Sequence, residues 1–354
     1  MNIRLVHQLP PGENNPRNSE GAFIRGTDGE ILFAYSRYQG ESTHDHAPCD
    51  IALIESRDEG ETWSEPRVIA PATAFGVKNV MSVSAVKQMN GDIGFYFLIK
   101  ENDFSTTLGR AISSDGKNYR TERCRTDFPH AYYVVNNDRF VRLSDGRLVA
   151  PAAFISAELN EWGGACAFFT TCLVSEDDGA SFYKADVTLS TDDRVNARFG
   201  MQEPGILERS DGSLYLWIRT GYGRQYEAVS DGDVNRFTGL QPSQFTSPDS
   251  PMQIKTYDGV TYAVYNPVPH YDGRYEPSGC MGRTPFVIRK STDEGRTFGP
   301  LNVIGDDPLR GYAYPAIFQT RDGHLLLSYC RGSSEEGDVL CRTGIAKAEI
   351  SSIE

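Results

Sequence analysis

The segment SRDEGETW, residues 56–63, is the clearest structural signal in this sequence. Near-copies begin at Ser175 (SEDDGASF) and Ser291 (STDEGRTF), and shorter versions begin at Ser113 (SSDGKNY) and Ser230 (SDGDVNRF). Successive copies start 55 to 62 residues apart, which is about one sixth of the 354-residue chain. A repeat of this length predicts an array of similar structural units.

The residue types of this repeated segment indicate a turn. Its Ser and Asp side chains can bond backbone groups within the turn, its Gly permits a left-handed conformation, and its final aromatic residue can pack between strands. We therefore interpret Asp58, Asp177 and Asp293 as residues that stabilise the fold and do not act in catalysis.

A second marker recurs independently of the first. An Asp-Gly or Asn-Gly pair precedes a strand-like apolar run six times, and this pair is the strongest short-range signal for a β-hairpin. The glycines of these pairs are Gly29, Gly91, Gly146, Gly212, Gly259 and Gly323. Six hairpins without a convincing amphipathic helix predict an all-β fold, a six-bladed β-propeller with four strands in each blade.

The two ends of the chain are expected to close this propeller. The first run, IRLVHQL, would add the outer strand to a last blade that contains GIAKAEI, which protects the exposed strand edges. Closed all-β architectures of this length can form one unit, so we expect a single domain over residues 1–354.

Composition excludes several classes of function. The formal charge of −13 argues against nucleic acid and anionic membranes as partners. The first residues are too polar for a signal peptide and no apolar run reaches the length of a membrane span, so we expect a cytoplasmic protein. Seven cysteines without a C-x-x-C pair indicate reduced structural thiols. No metal or cofactor is expected, because the histidines of HDH, residues 44–46, have no two further clustered ligands.

The hairpin glycines also predict where a site lies. The residue nine positions before each glycine is polar in every repeat, and a shared offset predicts equivalent places facing the propeller axis. These six residues are Glu20, Ser82, Asn137, Glu203, Ser250 and Tyr314.

The two markers together resemble the sialidase superfamily, in which the S-x-D-x-G-x-T-W turn is termed the Asp box, and the resemblance covers essentially the whole chain. Three segments carry the resemblance further. QEPGILERSDGSLYLWIR resembles the segment in which a glutamate, here Glu203, precedes the second substrate-binding arginine, here Arg219. GRTPFVIRKSTDEGRTF places Arg283 like the third arginine, and GYAYPAIFQTRDG places Tyr314 like the catalytic tyrosine.

The amino-terminal part matches the family less closely. The first arginine is expected at Arg17 in PRNSEGAFIRGTDG, with Arg25 as the alternative, and the R-I-P of the family is absent. Asp45 lies eleven residues before Ser56, where the family has its acid/base aspartate, and Arg37 resembles an additional pocket arginine.

The resemblance implies a retaining hydrolysis of a sialic acid or related 2-keto sugar acid glycoside. Three arginines would bind the sugar carboxylate as planar forks of donors, and a neutral tyrosine activated by a glutamate would attack the anomeric carbon without charge repulsion. Asp45 would protonate the leaving oxygen and then activate water. The polar ring adds Glu20, Ser82 and Asn137 as candidate substrate-binding residues.

Two alternatives remain open on the sequence. One is a non-catalytic propeller that binds glycans or a partner, and the other is a propeller lyase acting on acidic sugars. A lectin needs the arginines and has no use for Tyr314, Glu203 and Asp45 together, which favours hydrolysis.

Overall fold

A computed structural model describes residues 1–155, 167–191, 200–270 and 282–354. The described residues form 26 β-strands in six sheets, which confirms the predicted all-β six-bladed propeller. Within the same ranges lie three short 3-10 helices, and no helix there has the length and hydrophobicity needed to cross a membrane. The 3-10 helices are Ala72–Phe75, Ser334–Glu336 and Ile350–Ser352.

In each blade the innermost strand precedes the second and third strands along the chain, so the chain moves outward between them. The strands of blades one and two are β2 Asn18–Arg25, β3 Ile31–Tyr38, β4 Cys49–Ser56, β5 Arg67–Ala70, β6 Val80–Lys87, β7 Ile93–Asn102, β8 Ser105–Ser113 and β9 Arg120–Arg123. The strands of blade three are β10 Arg125–Asp127, β11 Tyr132–Val134, β12 Val141–Arg142, β13 Leu148–Ile155, β14 Phe169–Ser175 and β15 Ser181–Lys184.

The remaining blades complete the ring. The strands of blades four and five are β16 Gln202–Glu208, β17 Leu214–Arg219, β18 Arg224–Ser230, β19 Thr238–Thr246, β20 Gln253–Tyr257, β21 Val260–Tyr265, β22 Phe286–Ser291 and β23 Asn302–Gly305. The strands of blade six are β24 Ala313–Gln319, β25 His324–Cys330, β26 Thr343–Glu349 and the amino-terminal β1 Ile3–Leu9.

Strand β1 closes the propeller as predicted. It pairs antiparallel with β26, with Ile3 opposite Ala348 and Leu9 opposite Thr343. The first and last strands of the chain therefore share one blade, and this pairing satisfies a sheet edge that would otherwise be exposed.

Blade three departs from the predicted four strands. Its six described strands arise because the inner strand is split into β11 and β12, which both pair with β13, while β10 adds in parallel to β15. Polar residues Asn136–Arg139 separate the two halves, and Asp138 has a left-handed φ of 58°. The side chains of Asn137, Asp138 and Arg139 form hydrogen bonds to other blades, so the ladder is interrupted at this point.

The hydrophobic core lies between neighbouring blades. Each of the six largest apolar clusters joins residues of two adjacent blades, for example Leu32 and Leu53 of blade one with Phe95 and Phe97 of blade two. All six hairpin glycines have positive φ, from 78° to 94°, which confirms the predicted turns. The five described cysteines are buried and unpaired, and Cys166 and Cys280 lie outside the described residues.

The Asp boxes are self-contained turns, each following the third strand of its blade. In the first, Ser56 Oγ donates to Asp58 Oδ1 at 2.8 Å, and the Thr62 amide and hydroxyl donate to the same carboxylate at 2.9 and 2.6 Å. The boxes at Asp177 and Asp293 repeat this pattern. The carboxylates are thus satisfied locally, as the structural interpretation requires.

Candidate active site

Four inner strands share one backbone irregularity at the propeller axis. Glu20, Ser82, Glu203 and Tyr314 have φ of 56°, 59°, 43° and 55°, and each lies where the register with the second strand shifts. A non-glycine residue in this conformation costs of order 1 kcal/mol or more, and a bulge turns the side chain away from the regular alternation. Each of these four strands therefore has a strained bulge, and each bulge directs one polar side chain toward the propeller axis.

The other two members of the predicted ring behave differently. Asn137, predicted as a substrate-binding residue, is fully buried outside the lining of the axial cavity, and it donates to the carbonyl oxygens of Gly21 at 2.8 Å and Tyr314 at 3.4 Å. In blade three the left-handed residue is Asp138, one position later, and this shift turns Asn137 into the protein interior. Ser250 is also buried and donates to Asn266 Oδ1 at 2.6 Å.

The four bulge residues line an axial cavity of about 380 Å³. The described residues that line it include Asp45, Arg219 and Arg283, which were predicted from the sequence, together with an apolar side. That apolar side comprises Met81, Leu98, Tyr132, Val134, Ala153 and Phe168, and further polar wall residues are Lys100, Asn136, Gln202 and Asp338.

Tyr314, Glu203 and Arg219 form a hydrogen-bonded chain in this cavity. The Tyr314 hydroxyl donates to Glu203 Oε1 at 3.3 Å, and Arg219 Nη1 donates to Glu203 Oε2 at 2.7 Å. Burial raises the pKa of Tyr314 well above its ordinary value, and the negative charge of Glu203 adds to this, while Arg219 and Arg283 oppose it. The tyrosine therefore stays protonated next to a carboxylate that can accept its proton.

Arg219 and Arg283 converge on the same segment. Arg219 Nε donates to Asp249 Oδ1 at 2.6 Å, and Arg283 Nη2 donates to the Asp249 carbonyl oxygen at 3.3 Å. The Arg283 guanidinium lies 5.8 Å from the centre of the Tyr314 ring, and its buried Nε has no hydrogen-bond partner among the described residues. Two guanidinium groups are thus held beside the tyrosine, and one keeps a free donor.

A second group of charges occupies the blade-one side of the cavity. Arg17 is buried behind the wall, and its Nη1 donates to Asp45 Oδ1 at 2.6 Å while its Nη2 lies 3.6 Å from Glu20 Oε2. Burial raises the pKa of Glu20 to about 7, although Arg17 opposes this. Burial acts in the same direction on Asp45, but Arg17 and Lys100 outweigh it and lower the Asp45 pKa to about 2.

Lys100 is a functional candidate that the sequence analysis missed. It ends the apolar run of β7, is 7% exposed, and its Nζ donates to the Asp45 carbonyl oxygen at 2.7 Å. Burial lowers its pKa, and the neighbouring carboxylates Asp45 and Glu20 oppose that shift. A lysine at the end of an otherwise apolar strand was the available signal.

Two arginines lie away from the axial cavity. Arg37, predicted as an additional pocket arginine, lines a different cleft between blades six and one and not the axial cavity. It lies on the strand face that carries Tyr35, whereas Tyr38, which stacks with Arg17, faces the other way. Arg25 pairs with Glu59 of the first Asp box at 2.6 Å, so of the two candidates for the first arginine only Arg17 contacts residues of the axial cavity.

A polar network closes the axis beneath the cavity. Lys255 Nζ donates to Asp138 Oδ1 at 2.5 Å, Gln253 Nε2 donates to Asp138 Oδ2 at 3.0 Å, and Arg139 Nη1 donates to Gln253 Oε1 at 2.8 Å. Arg139 is therefore part of this network. Of Asn136, Asn137 and Arg139, only Asn136 lines the axial cavity.

The described residues contain no group of three or more His, Cys, Asp and Glu side chains placed to hold a metal ion. His44 and His46 stack on each other with ring centres 5.4 Å apart, and His46 Nδ1 lies 3.2 Å from Asp103. The two histidines thus contact each other on either side of Asp45 in the sequence.

Comparison with known proteins agrees with this architecture. Residues 29–327 match the BNR repeat-like domain family. The chain belongs to that family. No curated protein matches this BNR repeat-like chain in a sequence comparison.

Solved structures similar to this BNR repeat-like chain include sialidases. A protein of unknown function from Dyadobacter fermentans DSM 18053 is 17% identical with a TM-score of 0.72, covering 98% of this chain and 99% of the other. A Hadza microbial sialidase is 15% identical with a TM-score of 0.74, covering 96% and 67%. The NanB sialidase from Streptococcus pneumoniae is 14% identical with a TM-score of 0.71, covering 99% and 71%. At such identities the likeness establishes a shared fold, and function has to be argued from the site.

Proposed function

We propose that this protein is an exo-acting, retaining glycosidase of the sialidase type. Its substrate would carry a terminal sialic acid, or a related 2-keto sugar acid, in α-ketosidic linkage. The observation that carries this proposal is the contact of the Tyr314 hydroxyl with Glu203, which is itself paired with Arg219 in the axial cavity. A sugar-binding module has no need of a tyrosine placed against a buried carboxylate.

Recognition of the substrate would begin at its carboxylate. Arg219 and Arg283 both reach the cavity beside Tyr314, and a carboxylate there would accept from the unsatisfied Arg283 Nε and from neighbouring donors. The same carboxylate is attached to the anomeric carbon. A carboxylate nucleophile would meet it with like charge, whereas the protonated Tyr314 would not.

The covalent step would form a bond between the Tyr314 oxygen and the anomeric carbon while the bond to the leaving oxygen breaks. Glu203 takes the phenolic proton as attack begins, and Asp45 supplies the proton that the leaving oxygen needs. In the second half, water replaces the tyrosine, Asp45 takes a proton from that water, and Glu203 returns the proton to Tyr314. Two inversions give net retention of configuration.

The ion pair of Asp45 with Arg17 sets a condition on this mechanism. With a pKa of about 2, Asp45 is ionised near neutral pH and cannot donate a proton. The Asp45 side chain is 55% exposed, and a bound substrate that covers it would remove it from water, so the Asp45 pKa would rise on binding. Substrate binding would then prepare the acid that the first step requires.

The same observation favours a second candidate, a non-catalytic glycan-binding propeller. An aspartate held ionised by Arg17 suits a binding site in which charges are compensated, and such a site needs no proton donor. The two candidates differ in what happens to a bound glycoside.

A panel of aryl glycosides of 2-keto sugar acids tests the proposal directly. A glycosidase releases the aryl alcohol together with the intact sugar acid, a lyase leaves an unsaturated sugar that absorbs in the near ultraviolet, and a binding module leaves the glycosides intact. Nuclear magnetic resonance of the first-formed sugar reports the anomeric configuration. Absence of release across the panel, with binding retained, would replace the glycosidase by the binding module.

A further inference from the structure

A second cleft lies where the propeller closes, between β1 of blade six and the strands of blade one. It has a volume of about 650 Å³ and contains none of the residues that line the axial cavity. His7, Arg37 and Trp63 contribute to its wall. A polar cleft of this size is large enough to hold one sugar ring.

Arg37 is the central feature of this cleft. It is half-buried, and its guanidinium makes neither a hydrogen bond nor an ion pair with any described residue. The carboxylate opposite it in register, Asp50, is already occupied by the Gln39 amide and by the Ala72 backbone amide at 2.8 Å. A partly desolvated guanidinium without an acceptor is stabilised by an anion that enters the cleft.

The second arginine of the cleft, Arg67, is already hydrogen-bonded within the protein. Arg67 donates to the carbonyl oxygens of Gly116 at 2.7 Å and Lys117 at 2.9 Å. Burial lowers the pKa of His7, with the charge of Glu65 opposing it, so His7 does not add a positive charge near neutral pH. Arg37 is therefore the group in the described wall that is available to an anionic ligand.

An aromatic surface and oxygen acceptors complete the cleft. The half-buried Trp63 ring lies 6.1 Å from the His7 ring, and this pair forms an apolar surface in the wall. Asn18 lies directly opposite Arg37 in register, and its buried Oδ1 has no donor among the described residues. Glu65 contributes an exposed carboxylate at the same cleft, which can accept from hydroxyl groups.

We propose that this cleft is a second sugar-binding site, separate from the axial cavity, for a pyranose that carries a carboxylate. The carboxylate binds Arg37, the apolar face of the ring packs on Trp63, and the hydroxyl groups donate to Glu65 and Asn18. A simple anion such as phosphate uses the arginine alone, whereas a sugar acid adds the ring contact with Trp63 and the hydroxyl groups that donate to Glu65 and Asn18, so the combination selects a sugar acid. This binding site is independent of whether the axial cavity is catalytic.

The test follows the indole resonance of Trp63 in the ¹H–¹⁵N spectrum of the full chain. Trp63→Phe assigns the resonance and is expected to fold, because the other two Asp boxes carry Phe182 and Phe298 at this position. Free N-acetylneuraminic acid and free glucuronic acid should shift it saturably. Arg37→Gln should weaken binding at this site by at least ~10-fold. The exposed Arg57→Gln, which removes a charge elsewhere in the same blade, should leave it unchanged.

Three results would overturn the proposal. The first is a Trp63 resonance that neither sugar acid moves, and the second is equal binding by wild type and Arg37→Gln. The third is an equal response to inorganic phosphate or to glucose, since phosphate would indicate a general anion site and glucose would show that the carboxylate is not recognised. Because this readout requires no turnover, an inactive axial cavity would leave the result interpretable.

Discussion

The Asp boxes and the axial cavity use aspartate and glutamate in opposite ways. In the first box Asp58 accepts from Ser56 and Thr62, two and four residues away, and although burial opposes ionisation these bonds lower its pKa. In the cavity, Tyr314 meets Glu203 across 111 positions of sequence, and Glu20 has a pKa raised to about 7 by burial. Carboxylates satisfied by their own turn stabilise the scaffold, whereas carboxylates brought together by the fold have the unusual environments that chemistry needs.

The largest expected effect is a loss of activity when the axial cavity is changed and the Asp boxes are left intact. Tyr314→Phe removes the attacking oxygen but keeps the ring, so turnover should fall by at least ~100-fold, about 2.7 kcal/mol of barrier, with thermal stability little changed. Initial rates on an aryl 2-keto-sugar-acid glycoside measure this. A fluorinated 2-keto sugar acid should label wild type at Tyr314 and leave the variant unlabelled.

Tyr312→Phe is the matched control for this change. Tyr312 lies two residues away, is buried against Phe286 and Tyr329, and accepts from the Asp307 amide outside the axial cavity. Its hydroxyl should not affect the chemical step. Labelling at Glu203, or full activity of Tyr314→Phe, would remove Tyr314 as the nucleophile.

A smaller loss is expected when charge is kept but geometry is changed. Arg283→Lys retains a cation but loses the planar fork, which should cost on the order of 2 kcal/mol in transition-state binding, roughly 30-fold in kcat/KM. Arg289→Lys in the same blade is the control, because Arg289 donates to the carbonyl oxygens of Phe298 and Gly299. If both variants keep wild-type kcat/KM, Arg283 does not bind the substrate.

Substitutions in the Asp boxes should lower the stability of the protein and leave its activity unchanged. Asp58→Ala removes the acceptor for the Thr62 amide and hydroxyl, and the free energy of unfolding should fall by about 1–2 kcal/mol. Denaturant titration measures this, with Asp306→Ala as an exposed control that has no side-chain hydrogen bond to the described residues. A changed kcat in the folded Asp58→Ala protein would mean that the box contributes to the site.

The smallest expected effect concerns the pH dependence of stability. A raised pKa means that folded Glu20 binds its proton more tightly than the unfolded chain, so the free energy of unfolding falls as pH rises through about 7. Wild type should lose about 1 kcal/mol more than Glu20→Gln between pH 6 and pH 8. Asp45, with a pKa of about 2, does not titrate in this window. Identical pH profiles for the two proteins would show that Glu20 is ionised throughout.

Much of the scaffold could be predicted because its signals are local. The Asp boxes and the hairpin glycines each lie within a few residues of the groups they bond, so their spacing along the chain was sufficient to predict six blades and the closure by β1. Blade three was mispredicted because the side chains of Asn137, Asp138 and Arg139 bond to other blades, and no local pattern reports such contacts.

The site was predictable only to the level of candidates. A constant offset from the hairpin glycines identified Glu20, Ser82, Glu203 and Tyr314, since equivalent strand positions face the same axis. It failed at Asn137, where a shift of one residue turns the side chain into the interior. Counting residues along the chain predicts the position of a residue in a strand. The direction of its side chain also depends on where the strand bulges, and tertiary packing stabilises that bulge.

The sequence by itself therefore determined the number of blades, the turns and the chemical types gathered at the axis. Only the tertiary structure decided that Arg17 is paired with Asp45, that Lys100 joins the cavity, and that Arg37 faces a different cleft. The physical reason is that hydrogen bonds within a turn are encoded by neighbours in sequence. Burial and ion pairing depend instead on groups that become neighbours only when the propeller closes.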